Sequence, residues 1–151
     1  MITVDQLALQ LSEDFPAFSF KKNNLAYWSG KEQAVYYADS PSDLLHELGH
    51  AILDHNQYEQ DVEILQIERE AWDKAQEIAP NYNVVITEDM VELAMETYRE
   101  WVHCRSLCPN CKQTGLQSRS TGIYRCINCK TSWQANDART CQLKRRKVAL
   151  N

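Results

Sequence analysis

Two histidines four residues apart, with a glutamate next to the first, constrain the folding of this chain more than any other feature. His46, Glu47 and His50 form an H-E-x-x-H pattern. Residues four apart lie on one face of an α-helix, so both imidazoles can bind one metal ion with Glu47 beside it. Neutral imidazole suits Zn²⁺, and a catalytic zinc site keeps a position open for water. The pattern predicts a helical zinc site in which Glu47 takes a proton from that water.

The surrounding residues are typical of a buried helix. Ser40 can cap it, Pro41 suits its first position, and Asp43 places an acid in its first turn. A broad apolar surface follows, formed by Leu44, Leu45, Leu48, Ala51, Ile52 and Leu53. Gly49 weakens a helix by about 1 kcal/mol relative to Ala, which suggests that another backbone segment, such as a strand, approaches it closely. The alternative is a chance match in which both histidines are ordinary core or surface residues.

The composition is that of a globular chain with a sizeable core. The 151 residues are 44% hydrophobic and 25% charged, which suits one domain, or one domain and a small module. No apolar run reaches the roughly 20 residues that span a bilayer, and the first residues lack the features of a signal peptide. We therefore expect a cytoplasmic protein without a membrane partner, and its six cysteines indicate metal binding rather than disulfides.

Charge divides the chain into two parts of opposite sign. Residues 1–103 carry six Lys/Arg and twenty Asp/Glu, whereas residues 104–151 carry ten Lys/Arg and one acid. Such asymmetry indicates two modules with different partners.

Short elements accompany the H-E-x-x-H helix. A capping box at Thr3–Gln6 opens an N-terminal helix that Pro16 ends. Strands are predicted over 17–21, 25–28 and 33–38 in a small antiparallel sheet. The exposed edge of this sheet either pairs with an extended substrate, or the sheet only covers the helix. A helix from 88 to about 103 is predicted to pack through Met90, Leu93, Ala94, Tyr98, Trp101 and Val102.

The helix predicted over 62–79 carries one acid on its apolar side. The apolar stripe consists of Ile64, Ile67, Ala71, Trp72, Ala75 and Ile78. Glu68 falls on the same stripe, whereas the other acids of the helix lie on its polar side. A buried carboxylate needs a cation or hydrogen bonds to offset its desolvation, and zinc is a natural cation. Glu68 is therefore either a third zinc ligand or a helix-edge residue with its carboxylate in water.

The two helices together resemble the ImmA/IrrE family of zinc metallopeptidases. That family has H-E-x-x-H followed by E-x-E-A on the next helix, as at 46–50 and 68–71 here. The resemblance implies a gluzincin-like fold in which His46, His50 and Glu68 bind the catalytic zinc. Glu47 is then the catalytic acid/base. The resemblance also implies an endopeptidase that cleaves a specific protein, such as a repressor or other regulatory protein.

Four cysteines in the C-terminal part have the spacing of a zinc ribbon. The pattern C-x₂-C…C-x₂-C, with 14 residues between the pairs, is formed by Cys108, Cys111, Cys126 and Cys129. Four thiolates complete the coordination of zinc and leave no position for water, so this zinc is expected to be structural and to supply folding free energy. Disulfides are the alternative. Cys104 and Cys141 are expected to be spare thiols.

The C-terminal module is rich in basic residues. The candidate binding residues are Arg119, Arg125, Lys144, Arg145, Arg146 and Lys147. They favour one of three partners: nucleic acid bound through its phosphates, an acidic protein, or the acidic first part of this same chain.

The sequence thus predicts an α+β protein with two zinc ions, one catalytic and one structural. A zincin-like metallopeptidase domain of helices and a short antiparallel sheet is expected over 1–103, a Cys₄ zinc ribbon over 104–135, and a basic C-terminal tail over 136–151. The predicted activity is zinc-dependent endopeptidase cleavage of a protein substrate, with water as the nucleophile and Glu47 as base and then acid.

Two competing hypotheses remain at this point. A SprT-like protease, which acts on DNA-bound proteins, also joins H-E-x-x-H to a zinc ribbon. It needs a third downstream histidine, but His55 is too close and His103 lies on another helix. The other hypothesis is a non-catalytic regulator or adaptor that binds nucleic acid through its ribbon. A purely structural first site has no need of a base, so the presence of Glu47 argues against it.

Overall fold

A computed structural model describes residues 1–136 and 143–149 of the chain. Within these residues the fold is α+β, with four α-helices and two small sheets. The chain forms two compact units, and each is described by itself. The first unit consists of Met1–Gln57 and Gln66–Leu93; the second consists of Tyr58–Leu65 and the described residues from Ala94 onwards.

The N-terminal helix α1 (Val4–Asp14) begins at the predicted capping box. The Thr3 hydroxyl accepts a hydrogen bond from the Gln6 N–H at 3.2 Å, and the Gln6 side chain accepts one from the Thr3 N–H at 3.0 Å. This reciprocal pair satisfies N–H groups that the start of a helix leaves unpaired. The helix packs into the first unit through Val4, Leu7, Ala8 and Leu11.

The sheet of the first unit has three short strands, β1 (Ser19–Lys22), β2 (Tyr27–Ser29) and β3 (Ala34–Tyr37), in the order β1-β3-β2. Strand β2 pairs antiparallel to β3, as predicted, but β1 pairs parallel to it, so the prediction of an antiparallel sheet is wrong for β1. The reason lies in β3, where Ala34 and Val35 are completely buried. A strand that is apolar on both faces belongs in the centre of a sheet. Strand β1 therefore pairs with β3 on the side opposite to β2.

Helix α2 (Pro41–Ile52) starts as the sequence predicts. The Ser40 hydroxyl accepts a hydrogen bond from the Asp43 N–H at 3.2 Å, and Pro41 occupies the first position. Both histidines of H-E-x-x-H lie on the buried side of this helix, which comprises Leu44, Leu45, His46, Leu48, Gly49, His50 and Ala51.

Helix α3 (Glu63–Ile78) passes close to α2 at Gly49. A Cβ added to Gly49 would lie 2.4 Å from the carbonyl oxygen of Ala71. The close neighbour of this glycine is therefore a helix and not the expected strand. Ala71, Trp72 and Ala75 form the buried side of α3 here.

The first unit continues through a 3₁₀ turn, Ala79–Tyr82, into helix α4 (Glu88–Ser106). The Tyr82 hydroxyl donates a hydrogen bond to the Asp14 carboxylate at 2.7 Å and so ties the turn to α1. The predicted packing face of α4 is partly wrong. Val91, Met95 and Trp101 are buried, whereas Met90 is 40% and Leu93 75% exposed.

The sheet of the second unit has four antiparallel strands in the order β4-β5-β6-β7. They are β4 (Gly115–Gln117), β5 (Tyr124–Cys126), β6 (Ser132–Ala135) and β7 (Arg145–Val148). Trp133 is completely buried and stacks on Tyr124 with 5.4 Å between ring centroids, next to Cys108 and Cys126. Strand β7 lies within the predicted basic tail, 136–151, so part of that tail belongs to the sheet.

A buried acid joins the segment Tyr58–Leu65 to the rest of the second unit. The Asp61 carboxylate accepts hydrogen bonds from Arg105 Nε at 2.8 Å and from the Tyr124 hydroxyl at 2.5 Å. Asp61 and Arg105 are 5% and 6% exposed, and a buried ion pair requires such additional hydrogen bonds. The predicted boundary after residue 103 falls inside α4, whose residues from Ala94 onwards group with the second unit.

None of the helices among the described residues combines the length and the hydropathy needed to cross a membrane.

Candidate metal centres

The first candidate site brings together two residues of α2 and one of α3. One ligand atom each of His46, His50 and Glu68 lies within 4.8 Å of the other two. The two Glu68 oxygens face different rings: Oε2 lies 2.9 Å from Nε2 of His46, and Oε1 lies 3.3 Å from Nε2 of His50. The three residues are 4%, 7% and 7% exposed. The structure thus places the three predicted ligands of one metal together.

The donor atoms fit a zinc ion. Nε2 of His46 and Oε2 of Glu68 lie 2.9 Å apart without the geometry of a hydrogen bond. Neither atom has a hydrogen-bond partner among the residues that the structure describes. Buried polar atoms are costly without partners, and a bound cation would satisfy both. Two imidazoles and one carboxylate are a donor set that zinc uses in catalytic sites.

The charges of the site support the same interpretation. Burial alone would lower the pKa of His46, but the Glu47 and Glu68 carboxylates outweigh it and raise the pKa to about 9. Burial would raise the pKa of Glu68, but His46 and His50 outweigh it and hold that pKa well below its usual range. Glu68 is therefore a carboxylate, ready to bind a cation, whereas His46 must lose a proton when a metal binds.

Glu47 and Trp72 contact His46 from two sides. The Glu47 carboxylate lies 3.4 Å from Nδ1 of His46, and its side chain is 14% exposed. The Trp72 ring stacks on the His46 ring, with 4.2 Å between centroids and 8° between planes. The stacking holds the imidazole plane, and the partial exposure of Glu47 leaves its carboxylate accessible to water.

His50 has a further partner that sequence reasoning missed. Nδ1 of His50 lies 3.0 Å from Nδ1 of His55, and Nε2 of His55 lies 3.2 Å from Oε2 of Glu70. Burial, together with the nearby His50, lowers the pKa of His55. From the sequence, His55 is a candidate only for a third zinc ligand, and Glu70 is predicted on the polar side of its helix. The sequence signal for His55 is its proximity to His50, five positions earlier, whereas Glu70 is also the second glutamate of the E-x-E-A motif.

The second candidate site consists of the four ribbon cysteines. Their sulfur atoms lie within 4.8 Å of one another, with 3.6 Å between Cys108 and Cys129 and 3.5 Å between Cys111 and Cys126. A zinc ion with four sulfurs at about 2.3 Å has sulfur–sulfur edges of about 3.8 Å. All four are free thiols and not disulfides, so their arrangement fits a closed structural zinc site.

Hydrogen bonds to sulfur prepare the ribbon cysteines for metal binding. The Asn110 and Asn128 N–H groups donate to the sulfurs of Cys108 and Cys126 at 3.4 Å and 3.3 Å. The Thr131 hydroxyl, followed by other hydrogen bonds, lowers the pKa of Cys129 to about 5. Thiolate is the form that binds metal, so these contacts favour binding.

The predicted basic residues have different surroundings. Arg119 is 60% exposed and forms ion pairs with Glu59 at 3.0 Å and Glu63 at 2.7 Å. Arg145 donates a hydrogen bond to the Leu107 carbonyl at 2.5 Å. Four further basic residues lie at exposed positions, namely Arg125, Lys144, Arg146 and Lys147. Arg119 thus contacts acids of its own chain. For the other four residues, binding to nucleic acid or to an acidic protein stays a prediction.

The two remaining cysteines were predicted to be spare thiols. Cys104 is a partly exposed free thiol, and Cys141 lies outside the described residues.

Comparisons with models of known protein families, with curated proteins and with solved structures find no match to this chain.

Proposed function

We propose that this chain is a zinc-dependent endopeptidase of the ImmA/IrrE type, with a zincin-like first part, that cleaves a specific repressor or other regulatory protein. One observation carries the proposal. Nε2 of His46 and Oε2 of Glu68 are buried and lack hydrogen-bond partners among the described residues. Both residues belong to one group of possible metal ligands that also includes His50. Glu47, next in sequence to His46, has a partly exposed carboxylate.

Each residue has a defined part in this proposal. His46, His50 and Glu68 would hold the zinc ion, which when bound would supply Lewis acidity toward water and the peptide carbonyl. Glu47 accepts a proton from the attacking water and delivers a proton to the nitrogen of the leaving amine. It therefore ends the reaction as the carboxylate with which it began. Trp72 keeps the His46 ring in plane by stacking on it.

The number of ligands distinguishes the two metal centres. The ribbon offers four thiolates, which close a tetrahedral zinc, whereas the first group offers three donors. Three protein ligands leave a position for water, which a hydrolytic site needs. The identity of the third donor favours the proposal over the SprT-like alternative, because that donor is Glu68, whereas His55 faces Nδ1 of His50 and is not part of the donor group.

The Glu47→Gln variant tests the proposal. We expect it to keep its zinc and to lose at least about a hundredfold in cleavage rate, because general acid–base groups contribute about 10² to 10⁴. New peptide termini would be measured by mass spectrometry, after the zinc-loaded full chain is incubated with a peptide library from a digested proteome.

Glu77→Gln is the matched control, since Glu77 is an exposed acid on α3 that pairs with Lys74 at 2.7 Å. It should cleave as the wild type does. Equal cleavage by the Glu47→Gln and wild-type proteins would refute the role of Glu47. No cleavage by the zinc-loaded wild type, together with salt-sensitive DNA binding, would favour the adaptor hypothesis.

A further inference from the structure

We propose that His55 and Glu70 are positioning residues of the first metal site. The Glu70 carboxylate, the His55 imidazole and the His50 imidazole form a hydrogen-bonded series. This series fixes which nitrogen of His50 faces the metal. The inference rests on the proposed metal site at His46, His50 and Glu68, and it adds two residues that do not themselves belong to the donor group.

The contact between the two histidines determines the position of one proton. Nδ1 of His50 and Nδ1 of His55 lie 3.0 Å apart, so one of them must carry a proton and the other a lone pair. Nε2 of His50 faces Glu68 at 3.3 Å and belongs to the donor group. A nitrogen that binds metal uses its lone pair, so the proton of a neutral His50 resides on Nδ1. Nδ1 of His55 is therefore the acceptor.

The directions of the other hydrogen bonds in this series follow from that assignment. With its lone pair on Nδ1, neutral His55 carries its proton on Nε2, which lies 3.2 Å from Oε2 of Glu70. A carboxylate only accepts hydrogen bonds, so the direction is consistent from His50 to Glu70. The other Glu70 oxygen accepts a hydrogen bond from the Gln66 side chain at 2.8 Å. Every hydrogen bond in the series thus has a donor and an acceptor.

The end of α2 holds His55 in place. Asp54, two residues after the helix, has a left-handed backbone with φ of 54°. This turn lets the His55 N–H donate to the carbonyl of His50 at 3.0 Å. His55 therefore contacts His50 with both its backbone and its ring, and its side chain is only 13% exposed.

Loss of this hydrogen-bonded series should weaken metal binding. Without an acceptor, the buried Nδ1–H of His50 is left unsatisfied, and the ring is free to present the wrong nitrogen. Partners that orient metal ligands typically contribute 10-fold to 100-fold to metal affinity. The expected effect is on affinity itself, and it can be measured without any substrate.

The experiment measures zinc affinity of the full chain by competition with a chromophoric chelator, with the cysteine site loaded first. We expect about 10-fold to 100-fold weaker binding at the first site in His55→Leu and a smaller loss in Glu70→Ala. His55→Gln should restore most of the affinity, because its amide can both accept from His50 and donate to Glu70. His103→Leu is the matched control, since His103 is an exposed histidine on α4.

Each outcome decides the inference. Weakening in His55→Leu with rescue in His55→Gln supports it. Equal affinity of His55→Leu and His103→Leu would refute the positioning role alone, and so would a His55→Gln variant as weak as His55→Leu, because lost packing would then be the cause. A wild type that binds no more zinc than Glu68→Ala would refute the proposed metal site, and the positioning role with it.

Discussion

His46 is 4% exposed and lies between two carboxylates, Glu47 at 3.4 Å from Nδ1 and Glu68 at 2.9 Å from Nε2. In the metal-free protein these carboxylates outweigh burial and raise the pKa of His46 from 6.5 to about 9. A group whose pKa is higher in the folded state stabilises the fold at low pH. This contribution is complete below pH 6.5 and is lost as the pH rises to about 9.

Comparison of the wild type with His46→Gln tests this pH dependence. In the presence of a chelator, we expect the wild type to lose stability relative to the variant between pH 6.5 and 9, by about 3 kcal/mol at most. Urea unfolding of both proteins at several pH values measures the difference, and contributions of the ribbon cysteines cancel in it. A difference that stays constant or grows with pH would contradict the proposed protonation of His46.

At the scale of residues, helical periodicity predicts the candidate ligands but not the residues that contact them. Glu68 could be chosen among the acids of its helix because it shares the buried stripe, and the structure places it there at 7% exposed. His55 could not be chosen, because it follows α2 in a turn that depends on the left-handed backbone of Asp54. Periodicity says nothing about residues beyond a helix end, and a ring-to-ring contact with His50 leaves no pattern in the sequence.

At the scale of elements, the contact between α2 and α3 depends on the absence of a side chain at Gly49. An added Cβ would lie 2.4 Å from the Ala71 carbonyl oxygen, which is backbone and cannot rotate away. Helix propensity alone predicts that Ala at this position stabilises α2 by about 1 kcal/mol. The steric conflict predicts the opposite sign, because the two helices must move apart and α3 carries Glu68.

We therefore expect Gly49→Ala to lower the free energy of unfolding by about 1 to 3 kcal/mol, as overpacking of a core does. It should also weaken zinc binding at the first site. Ala51→Gly, on the same helix and 4% exposed, is the reciprocal control and should cost about 1 kcal/mol. Chemical denaturation measures both. Stabilisation by Gly49→Ala would show that propensity outweighs the helix contact.

The sequence predicts the ends of elements better than their packing. The capping box of α1 and the Ser40 cap of α2 are local hydrogen bonds, and both are present. The packing face of α4 is shifted, with Val91 buried and Leu93 75% exposed. The apolar residues of this helix lie on several of its sides, so tertiary contacts decide which of them are buried. The parallel pairing of β1 with β3 likewise depends on a long-range choice of partner.

At the scale of the whole molecule, charge asymmetry predicts two modules that meet near residue 103, whereas the two compact units of the structure divide the chain at other residues. Asp61 belongs to the second unit because its carboxylate is buried against Arg105 and Tyr124, 44 and 63 positions later. One aspartate in an acidic segment gives no indication of such distant partners. The four cysteines, in contrast, carry their spacing in the sequence, and the structure brings all four together.

Zinc content measured on the whole chain tests both centres at once. We expect two zinc ions per wild-type chain, one in Glu68→Ala, one in Cys126→Ser and none in the double variant, because each substitution removes a ligand from one group only. Cys104→Ser, which replaces a free thiol outside the ribbon motif, should retain both ions. Elemental analysis after gel filtration gives the ratios.

Tryptophan fluorescence distinguishes the structural centre from the first one. Trp133 is completely buried beside Cys126 and Cys108, and a ribbon this small depends on its metal for folding. Cys126→Ser should therefore shift the emission to longer wavelength, since Trp133 becomes exposed to water, whereas Glu68→Ala should shift it less. Two zinc ions retained in Glu68→Ala would show that Glu68 is not a ligand. Two retained in Cys126→Ser, with unchanged fluorescence, would show that the ribbon folds without a four-thiolate metal site.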